Sequence, residues 1–355
     1  MRSNSDNFTK DSVALLRRLI ATPRVSRDEH AAADILEEAL ISFGLMPRRH
    51  KNNIWVEGSV QRTDRPTLLL NAHIDTVRPV ASWTRDPHEA CIEGDRLYGI
   101  GSNDCGGGLV SLLAVFRELH SRIDLPYNLI YLASAEEEVS GADGIAAVLP
   151  LLPDIDVAIV GEPTGLQPAV AEKGLMVIDG FAEGKSGHAA RGEGINAIYR
   201  ALDDLLFLRD YRFERISPLL GPTLMQVTVV EAGTQHNVVP DRLHFVIDVR
   251  TNELYTNEEV HQFLQSRMQH SQLNARSYRL SSSAIAMDHP LVKRCLDLGL
   301  TPFGSPTLSD QALMRFPSLK LGPGESSRSH TADEFICLSE IGNAVNLYRA
   351  LISEE

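Results

Sequence analysis

The sequence predicts an α/β protein with a smaller α+β domain inserted into it. In the outer parts of the chain, helical patterns alternate with short, continuously apolar strands, as in a mixed, mostly parallel sheet covered by helices. Between them, about a hundred residues follow the strand and helix order of an α+β sandwich. We therefore predict an outer domain of residues 1–172 and 282–355 and an inserted domain of residues 173–281.

The individual elements follow from the spacing of apolar residues. In the predicted helices these residues recur every three to four positions, and in the outer strands they run without interruption. For the outer domain we predict helices at 9–21, 27–43, 109–119, 289–298, 310–315 and 338–351, and strands at 53–56, 67–71, 129–133 and 157–160. For the inserted domain we predict strands at 175–181, 223–230, 243–249 and 275–280, with helices at 196–208 and 258–268.

Charge and composition exclude several classes of protein. The chain has 34 Lys and Arg against 47 Asp and Glu, and this net charge of −13 argues against non-specific binding to nucleic acid or to an anionic membrane. No apolar run approaches the roughly 18–20 residues that cross a bilayer. Near the N-terminus, Arg17 and Arg18 interrupt a short apolar run, which is not typical of a signal peptide. The four cysteines form no C-x-x-C pair, so we expect reduced thiols and a cytoplasmic location.

Candidate metal ligands follow the predicted outer strands. His73 and Asp75 come after the strand at 67–71, and on an extended segment their side chains lie on one face. Imidazole binds zinc through one nitrogen and donates its other N–H to a carboxylate, a pairing that these two residues supply. A surface turn with an incidental His and Asp explains this pair equally well.

Acidic residues mark two further segments. Asp104 lies in a glycine-bearing loop that opens a predicted helix, and helix capping is the alternative role for it. Glu136, Glu137 and Glu138 directly follow the strand at 129–133. Three adjacent carboxylates are costly to desolvate without a cation, which favours a metal site over a solvated acidic loop.

Two more candidates complete the set. Glu162 follows the strand at 157–160, and His330 lies far along the chain. Ligand sites in open α/β sheets form outside the carboxyl ends of the strands. Two histidines and three carboxylates suit a pair of divalent ions, with zinc favoured. The five candidate ligands are His73, Asp104, Glu138, Glu162 and His330.

The order of these motifs resembles the zinc-dependent acetylornithine deacetylase, succinyl-diaminopimelate desuccinylase, aminoacylase and glutamate carboxypeptidase family. The shared motifs are the H-x-D turn at 73–75, the G-x-x-D-x-x-G-G loop at 101–108, the acidic residues after a strand, the GEPT strand end at 161–164 and the late His-Thr at 330–331. The resemblance covers essentially the whole chain and lies closest to the acetylornithine deacetylase branch. It implies a fold of the di-zinc exopeptidase type with an inserted dimerisation domain.

The resemblance also implies the roles of the metal-site residues. One zinc would be held by His73 and Glu162. The other would be held by Glu138 and His330, with Asp104 bridging both, and cobalt or manganese could substitute for zinc.

Two further roles in the outer domain follow from the same resemblance. Asp75 would be the partner of His73, and Glu137 would be the general base. The family usually has Asp-Glu-Glu where this chain has three glutamates. A one-position slip would therefore move the base and the ligand to Glu136 and Glu137.

In the inserted domain and in a late loop, the resemblance implies groups that act on substrate. His188, in GKSGHAA, would stabilise an oxyanion in the partner subunit of a homodimer, although the proline usual after that motif is absent. Asn237 would position the scissile carbonyl, and Arg250 would pair with a substrate carboxylate. Ordinary surface roles, including a strand-end salt bridge for Arg250, are the alternatives. Gly322 and Gly324 would form a wall beside the last ligand.

The implied activity is metal-dependent hydrolysis that removes the N-acyl group from a small acylated amino acid. The closest branch favours N-acetyl- or N-succinyl-ornithine or -citrulline, in arginine biosynthesis. Succinyl-diaminopimelate desuccinylation in lysine biosynthesis and a di- or tripeptidase activity are the alternatives. Outside this chemistry, the chain could be a binding protein that has lost its metals, or a structural dimer whose acidic surface recruits a basic partner.

Overall fold

A computed structural model describes residues 2–353 of the chain. The chain forms two compact units. One, which we call the outer unit, comprises Met1–Val170, Ile285–Phe303 and Ser309–Glu355. The other, which we call the inserted unit, comprises Ala171–Ala284 and Gly304–Leu308.

The secondary structure of the described residues alternates helices and strands. The helices are α1 (Arg2–Ile20), α2 (His30–Ser42), α3 (Gly107–Leu119), α4 (Ile145–Val148), α5 (Ala197–Asp210), α6 (Asn257–Arg267), α7 (Pro290–Asp297) and α8 (Leu338–Ile352). The strands are β1 (Arg48–His50), β2 (Asn53–Glu57), β3 (Thr67–His73), β4 (Ile92–Glu93), β5 (Arg96–Tyr98), β6 (Asn128–Ser134), β7 (Val157–Val160), β8 (Ala169–Glu172), β9 (Met176–Glu183), β10 (Leu224–Ala232), β11 (Arg242–Arg250), β12 (Ser271–Ala275), β13 (Ser283–Ala284), β14 (Phe303–Ser305), β15 (Ser318–Lys320) and β16 (Phe335–Cys337).

The outer unit is built on a mixed, mostly parallel sheet. Its strands follow the order β1-β2-β6-β3-β7-β15, and the last four of these run parallel to one another. Every residue of β3 and β6 is buried, because helices cover both faces of the sheet. In the register of the sheet, His73 is level with Ser134, so the carboxyl ends of β3 and β6 finish together.

Helix α3 is the central helix of the outer unit. It packs against β3 and β6, and α1 and α8 pack beside it. Most of its residues are buried, in agreement with the apolar sequence that predicts it. Among the described residues, no helix combines the length and the apolar character needed to cross a membrane. A small antiparallel sheet of β16, β5 and β4 also belongs to this unit.

The inserted unit is an antiparallel sheet with two helices. Its strand order is β10-β11-β9-β12, and α5 and α6 pack on one face. Residues of β9 alternate between buried and partly exposed positions, as expected for a sheet with one covered face. The core between sheet and helices includes Ile178, Phe245, Ile247 and Leu264.

Two predicted elements are wrong in detail. The last strand of the four-stranded antiparallel sheet is Ser271–Ala275 and not 275–280, and it pairs with β9 at an edge of the sheet. Its one deeply buried apolar side chain is Leu273, so its apolar pattern is too weak to be recognised. The predicted helix at 310–315 is a single 3₁₀ turn, Asp310–Leu313, and the following Pro317 disfavours a longer helix.

Candidate metal centre

Three neighbouring parallel strands bring histidine and acidic side chains to one edge of the outer sheet. His73 is the last residue of β3. Glu137 and Glu138 follow β6, and Glu162 follows β7. Because the carboxyl ends of β6, β3 and β7 lie side by side, these four residues meet although they are distant in sequence.

Asp104 lies between two histidines. Its Oδ1 is 3.2 Å from Nε2 of His73, and its Oδ2 is 3.6 Å from Nε2 of His330. Asp104 belongs to the loop before α3, and the peptide bond between Asp104 and Cys105 is cis. One carboxylate therefore offers an oxygen to each of two histidines.

Each of the two remaining candidate ligands lies near a different histidine. Oε1 of Glu162 is 3.7 Å from Nε2 of His73, whereas Oε2 of Glu138 is 2.9 Å from Nε2 of His330. The structure thus brings all five candidate ligands together, as two histidine–glutamate pairs joined by Asp104. The His73 side is buried and the His330 side is exposed, so the cluster is accessible from the second pair.

Asp75 connects the first pair to the glutamate turn. Its Oδ1 accepts a hydrogen bond from the backbone N–H of Glu137, and its Oδ2 accepts one from that of Glu138, at 3.1 and 3.2 Å. The hydroxyl of Ser26 donates to Oδ2 at 2.7 Å, and Nδ1 of His73 is 3.5 Å from Oδ1. Asp75 is fully buried, and its contacts fix the orientation of the His73 imidazole and of the turn at Glu137 and Glu138.

The three consecutive glutamates each contact a different partner. Glu137 places Oε2 3.9 Å from Nε2 of His73, and Glu138 contacts His330. Glu136 instead accepts a hydrogen bond from the backbone N–H of Asp143 through its Oε2, at 3.3 Å. Glu137 and Glu138 therefore approach the two histidines, whereas Glu136 bonds to the backbone of Asp143.

Burial makes two acidic groups near His73, Glu137 and Glu162, reluctant to ionise. It raises the pKa of Glu162 to about 8 and the pKa of Glu137 well above its usual value. A hydrogen bond that the imidazolium of His330 donates to the Glu138 carboxylate raises the pKa of His330 to about 9. Glu162 would keep its proton at neutral pH in the absence of a cation, and a bound cation would replace that proton.

The donor set fits divalent metal ions. His73, Asp104 and Glu138 each place a ligand atom within 4.8 Å of the others, and so do His73, Cys105 and Glu162. Imidazole nitrogens and carboxylate oxygens suit zinc, cobalt and manganese. The residues present therefore satisfy the chemistry of a metal centre.

Three further residues lie near this cluster, and no sequence motif predicts them as site residues. Cys105 is buried, and its Sγ accepts a hydrogen bond from the backbone N–H of His73 at 3.1 Å. Asp310 is buried and accepts a hydrogen bond from the hydroxyl of Ser134 at 2.6 Å. Glu334 is buried behind the Asp104 loop, and its position four residues after a candidate ligand is the one signal that could have found it.

Gly322 and Gly324 lie against the backbone and side chains of the ligand-bearing segments. A Cβ at Gly322 would be 2.6 Å from the carbonyl oxygen of Gly161 and closer still to that of Glu162. Gly324 has a φ of +84°, and a Cβ there would collide with the side chain of Asn103. Both positions exclude larger residues for structural reasons, and their contact with substrate stays a prediction.

The other three predicted substrate residues belong to the inserted unit. His188 and Asn237 are exposed, and the backbone N–H of Ala189 donates to the carbonyl of Asn237 at 3.0 Å. Arg250, at the end of β11, forms a bidentate ion pair with Asp248, at 2.8 and 3.1 Å. The structure therefore places His188 and Asn237 on adjacent segments and gives Arg250 a carboxylate partner within its own strand.

Comparison with known sequences gives consistent matches. The sequence profile of peptidase family M20/M25/M40 matches residues 69–354. Acetylornithine deacetylase from Yersinia pseudotuberculosis serotype O:1b is 30% identical over 370 residues, which cover 93% of this chain and 93% of that protein. Succinyl-diaminopimelate desuccinylase from Caulobacter sp. strain K31 is 30% identical over 273 residues, which cover 72% of this chain and 69% of that protein.

Solved structures share the fold. A tripeptidase from Staphylococcus aureus is similar with a TM-score of 0.75 at 19% identity, over 97% of both chains. A dinuclear metal-binding peptidase of the M20 family from Bacillus subtilis is similar with a TM-score of 0.74 at 16% identity, over 98% of both chains. From the profile match and the relatives at 30% identity, the chain belongs to peptidase family M20/M25/M40 and is an amide-hydrolysing enzyme of this metal-dependent family.

Proposed function

We propose that this enzyme removes the N-acyl group from an acylated amino acid, with N-acetyl- or N-succinyl-ornithine or -citrulline as substrate, in arginine biosynthesis. The observation that carries the proposal is the position of Asp104 between His73 and His330, with Glu137 beside the cluster. The two relatives at 30% identity are named for removing an acetyl or a succinyl group from an amino acid. Their names support this substrate class.

The metal centre of the proposal contains two ions, with zinc favoured and cobalt or manganese as substitutes. His73 and Glu162 would hold one ion. Glu138 and His330 would hold the other, and Asp104 would be shared. When bound, such ions lower the pKa of a water molecule and polarise the substrate carbonyl.

Glu137 would move the proton in this reaction. It lies beside His73 without belonging to either histidine–glutamate pair, and Asp75 fixes its backbone N–H. A carboxylate in this position can accept the proton of the attacking water and then deliver it to the leaving amine. Asp75, which contacts no solvent, would keep the Glu137 carboxylate and the His73 imidazole in fixed relative positions.

Residues of the inserted unit would bind and polarise the substrate. His188 would donate to the oxyanion in the partner subunit, and Asn237 would orient the scissile carbonyl. Their adjacent backbone segments and exposed side chains support a joint role. Arg250 would exchange its bidentate contact with Asp248 for the substrate carboxylate, since both partners offer the same planar pair of oxygens.

The inserted unit also supports a homodimer as part of the proposal. Strand β10 is at the edge of its sheet and exposes Leu224 and Val230, while α5 exposes Tyr199, Leu202 and Leu206. An edge strand presents backbone N–H and C=O groups that a second strand can pair with. A second copy of the chain, pairing β10 with β10, would satisfy those groups and bury the apolar side chains.

Substitutions on this surface test the homodimer. The variant combining Leu206→Asp and Val230→Asp should be a monomer by light scattering, whereas the unsubstituted protein should be a dimer. Ile123→Asp is the matched control, because Ile123 is an exposed apolar residue of the outer unit. A dimer that survives the double substitution, or an unsubstituted protein that is monomeric at micromolar concentration, would contradict this interface.

The substrate is tested by a kinetic screen. N-acetyl and N-succinyl derivatives of ornithine, citrulline, lysine and diaminopimelate would be assayed beside di- and tripeptides, and kcat/KM compared. We expect the highest value for an N-acyl-ornithine or N-acyl-citrulline. A higher value for N-succinyl-diaminopimelate would identify a desuccinylase of lysine biosynthesis, and a higher value for peptides would identify a peptidase.

Metal analysis tests the metal centre itself. We expect two equivalents of zinc per chain after equilibration, and loss of turnover after treatment with a chelator. Substoichiometric zinc together with no turnover on any acylated amino acid or peptide would favour a binding protein. Capture of a basic partner that a chelator does not affect would favour the structural dimer.

A cytoplasmic location is also part of the proposal. Cys91, Cys105, Cys295 and Cys337 are all free thiols in the structure. Free thiols persist in a reducing compartment. Fractionation of the producing cells, with an assay of each fraction, would test this location.

A further inference from the structure

Glu334 holds the loop that carries Asp104. Its Oε1 accepts hydrogen bonds from the backbone N–H groups of Asn103 and Asp104, at 2.8 and 2.9 Å. Its Oε2 accepts a third from the backbone N–H of Gly101, at 3.1 Å. The side chain is buried, so these three donors replace the water that would otherwise surround the carboxylate.

The same loop is held from a second direction. The guanidinium of Arg24, which is fully buried, donates to the carbonyl of Gly101 at 2.9 Å. Glu334 thus accepts a hydrogen bond from the N–H of Gly101, and Arg24 donates one to the carbonyl oxygen of the same residue. The backbone just before Asp104 is fixed by two charged side chains of opposite sign, at positions far apart in the sequence.

Asp333, the neighbour of Glu334, makes a similar set of contacts elsewhere. Its carboxylate accepts hydrogen bonds from the backbone N–H groups of Thr84 and Arg85, at 3.0 and 3.1 Å, and from the hydroxyl of Thr84. Asp333 is partly exposed and has no contact with the Asp104 loop among these bonds. The two adjacent carboxylates therefore hold two different loops, and only one of those loops carries a candidate ligand.

We propose that Glu334 is a positioning residue that presets Asp104 to bridge the two metal subsites, an inference that rests on the metal centre proposed above. With three of its roughly four acceptor sites occupied by backbone donors, Glu334 is placed to hold the loop and not to bind a metal. Its three hydrogen bonds fix the peptide of Asp104, so the two carboxylate oxygens of Asp104 face His73 and His330 before any ion arrives. A ligand that is already oriented loses less conformational freedom on binding a metal.

The substitution Glu334→Gln tests this role. Glutamine keeps the size of the side chain, but its NH₂ group would face the N–H of Gly101, so at least one of the three bonds is lost. We expect the affinity for Zn²⁺ and for Co²⁺, measured by competition with a chelator, to fall about 10- to 100-fold. The visible absorption of the Co²⁺ protein should change, while kcat at saturating metal stays within a few-fold and KM is unchanged.

Asp333→Asn is the matched control. It removes a carboxylate from the adjacent position, and we expect metal affinity within threefold of the unsubstituted protein. Metal affinity in Glu334→Gln within threefold of the unsubstituted protein would overturn the proposal. An equal loss in both variants would also overturn it, because the segment as a whole would then be responsible.

A second variant keeps the test decisive if Glu334→Gln does not fold. Glu334→Asp retains the charge but is one methylene shorter, so it cannot reach all three donors. We expect it to fold, by circular dichroism, and to lose metal affinity by about tenfold. Unchanged affinity in this variant would contradict the positioning role. An unsubstituted protein that binds no metal would contradict the proposed metal centre and the role of Glu334 with it, whereas equal affinity in the variants and in a metal-binding unsubstituted protein would contradict the role of Glu334 alone.

Discussion

The candidate metal centre of the outer unit and the surface of the inserted unit differ in what shifts the pKa values of their carboxylates. In the outer unit, burial raises the pKa of Glu162 to about 8 and the pKa values of Asp310 and Glu334 to about 7. In the inserted unit, a bidentate bond from Arg276 lowers the pKa of Asp179 to about 2. Carboxylates buried at a cost to stability therefore mark the candidate metal centre. Paired carboxylates near the surface occur in both units, since a hydrogen bond from Arg122 also lowers the pKa of Asp124, in the outer unit, to about 2.

The strands of the two units show the same contrast. Strands β3 and β6 are buried along their whole length, and they end at the candidate ligands. Strand β9 is buried on one face, and β10 is largely exposed. The outer unit is built to hold side chains at fixed positions, and the inserted unit is built to present a surface. Substitutions in the first should change chemistry, and those in the second should change binding or association.

The largest effect is expected at Glu137. Glu137→Gln should lower kcat by about 100- to 10,000-fold because the proton of the attacking water loses its acceptor. Metal content, measured by mass spectrometry, should stay at two equivalents per chain. Glu136→Gln is the matched control, since Glu136 bonds to the backbone of Asp143. A larger loss of kcat in the control would assign the general base to Glu136 and contradict the role proposed for Glu137.

The second effect concerns the cost of burial itself. Asp310 is buried, with His73, Asp75 and Glu137 as charged neighbours, and its pKa of about 7 exceeds the roughly 3.9 of an unfolded aspartate. Between these two pH values the unfolded chain is ionised at this position and the folded protein is protonated. The free energy of unfolding therefore falls as the pH rises from 4 to 7.

Asp310→Asn should remove that loss. In metal-free protein, the free energy of unfolding of the variant relative to the unsubstituted protein should increase from pH 5 to pH 7.5, by at most about 2.5 kcal/mol. Urea unfolding at both pH values measures the difference. Asp28→Asn, at an exposed position of the same unit, controls for the substitution. A difference that does not change with pH would show that Asp310 is ionised when folded.

Much of the outer unit could be predicted from sequence because its signals are local. Continuous apolar runs predict β3, β6 and β7, and the polar residues directly after them supply His73 and Glu162. The convergence of these strand ends follows from the parallel order of the sheet. The contacts of Asp104 with two histidines, by contrast, depend on a loop geometry that no pattern of residue types encodes.

The parts that could not be predicted depend on burial of polar groups. Asp310 and Glu334 have no motif, and their importance is visible only when the fold removes them from water. The predicted strand at 275–280 differs from β12 because an edge strand with one buried apolar residue gives almost no periodic signal in the sequence. Arg250 could be read as a substrate ligand or as a salt-bridge residue, and the structure shows its contact with Asp248.

The third prediction separates those two roles of Arg250. If Arg250 binds a substrate carboxylate, Arg250→Ala should lower kcat/KM by about 10- to 100-fold, mainly through KM, because a bidentate contact is lost. Arg276→Ala is the control, since it removes an equivalent bidentate pair from the same sheet. Equal and small effects of both variants on kcat/KM would leave Arg250 with a structural role only.

The smallest effect is expected at Asp179, whose charge the inserted unit stabilises. Its folded pKa of about 2 lies below the unfolded value of roughly 3.9, so its ion pair stabilises the protein above pH 4 and is lost as the pH falls towards 2. Because Arg276 is more than half exposed, solvent screens the pair, and Asp179→Asn should cost about 1 kcal/mol or less at pH 6.

That loss should shrink between pH 5 and pH 3, and also in 1 M NaCl, where exposed charges are screened over about 3 Å. Urea unfolding of the variant and of the unsubstituted protein at each condition measures it. The sign is opposite to that expected for Asp310, whose substitution gains stability as the pH rises. If both substitutions gave the same pH dependence, the contrast between the buried carboxylate of Asp310, with its raised pKa, and the paired carboxylate of Asp179, with its lowered pKa, would not hold.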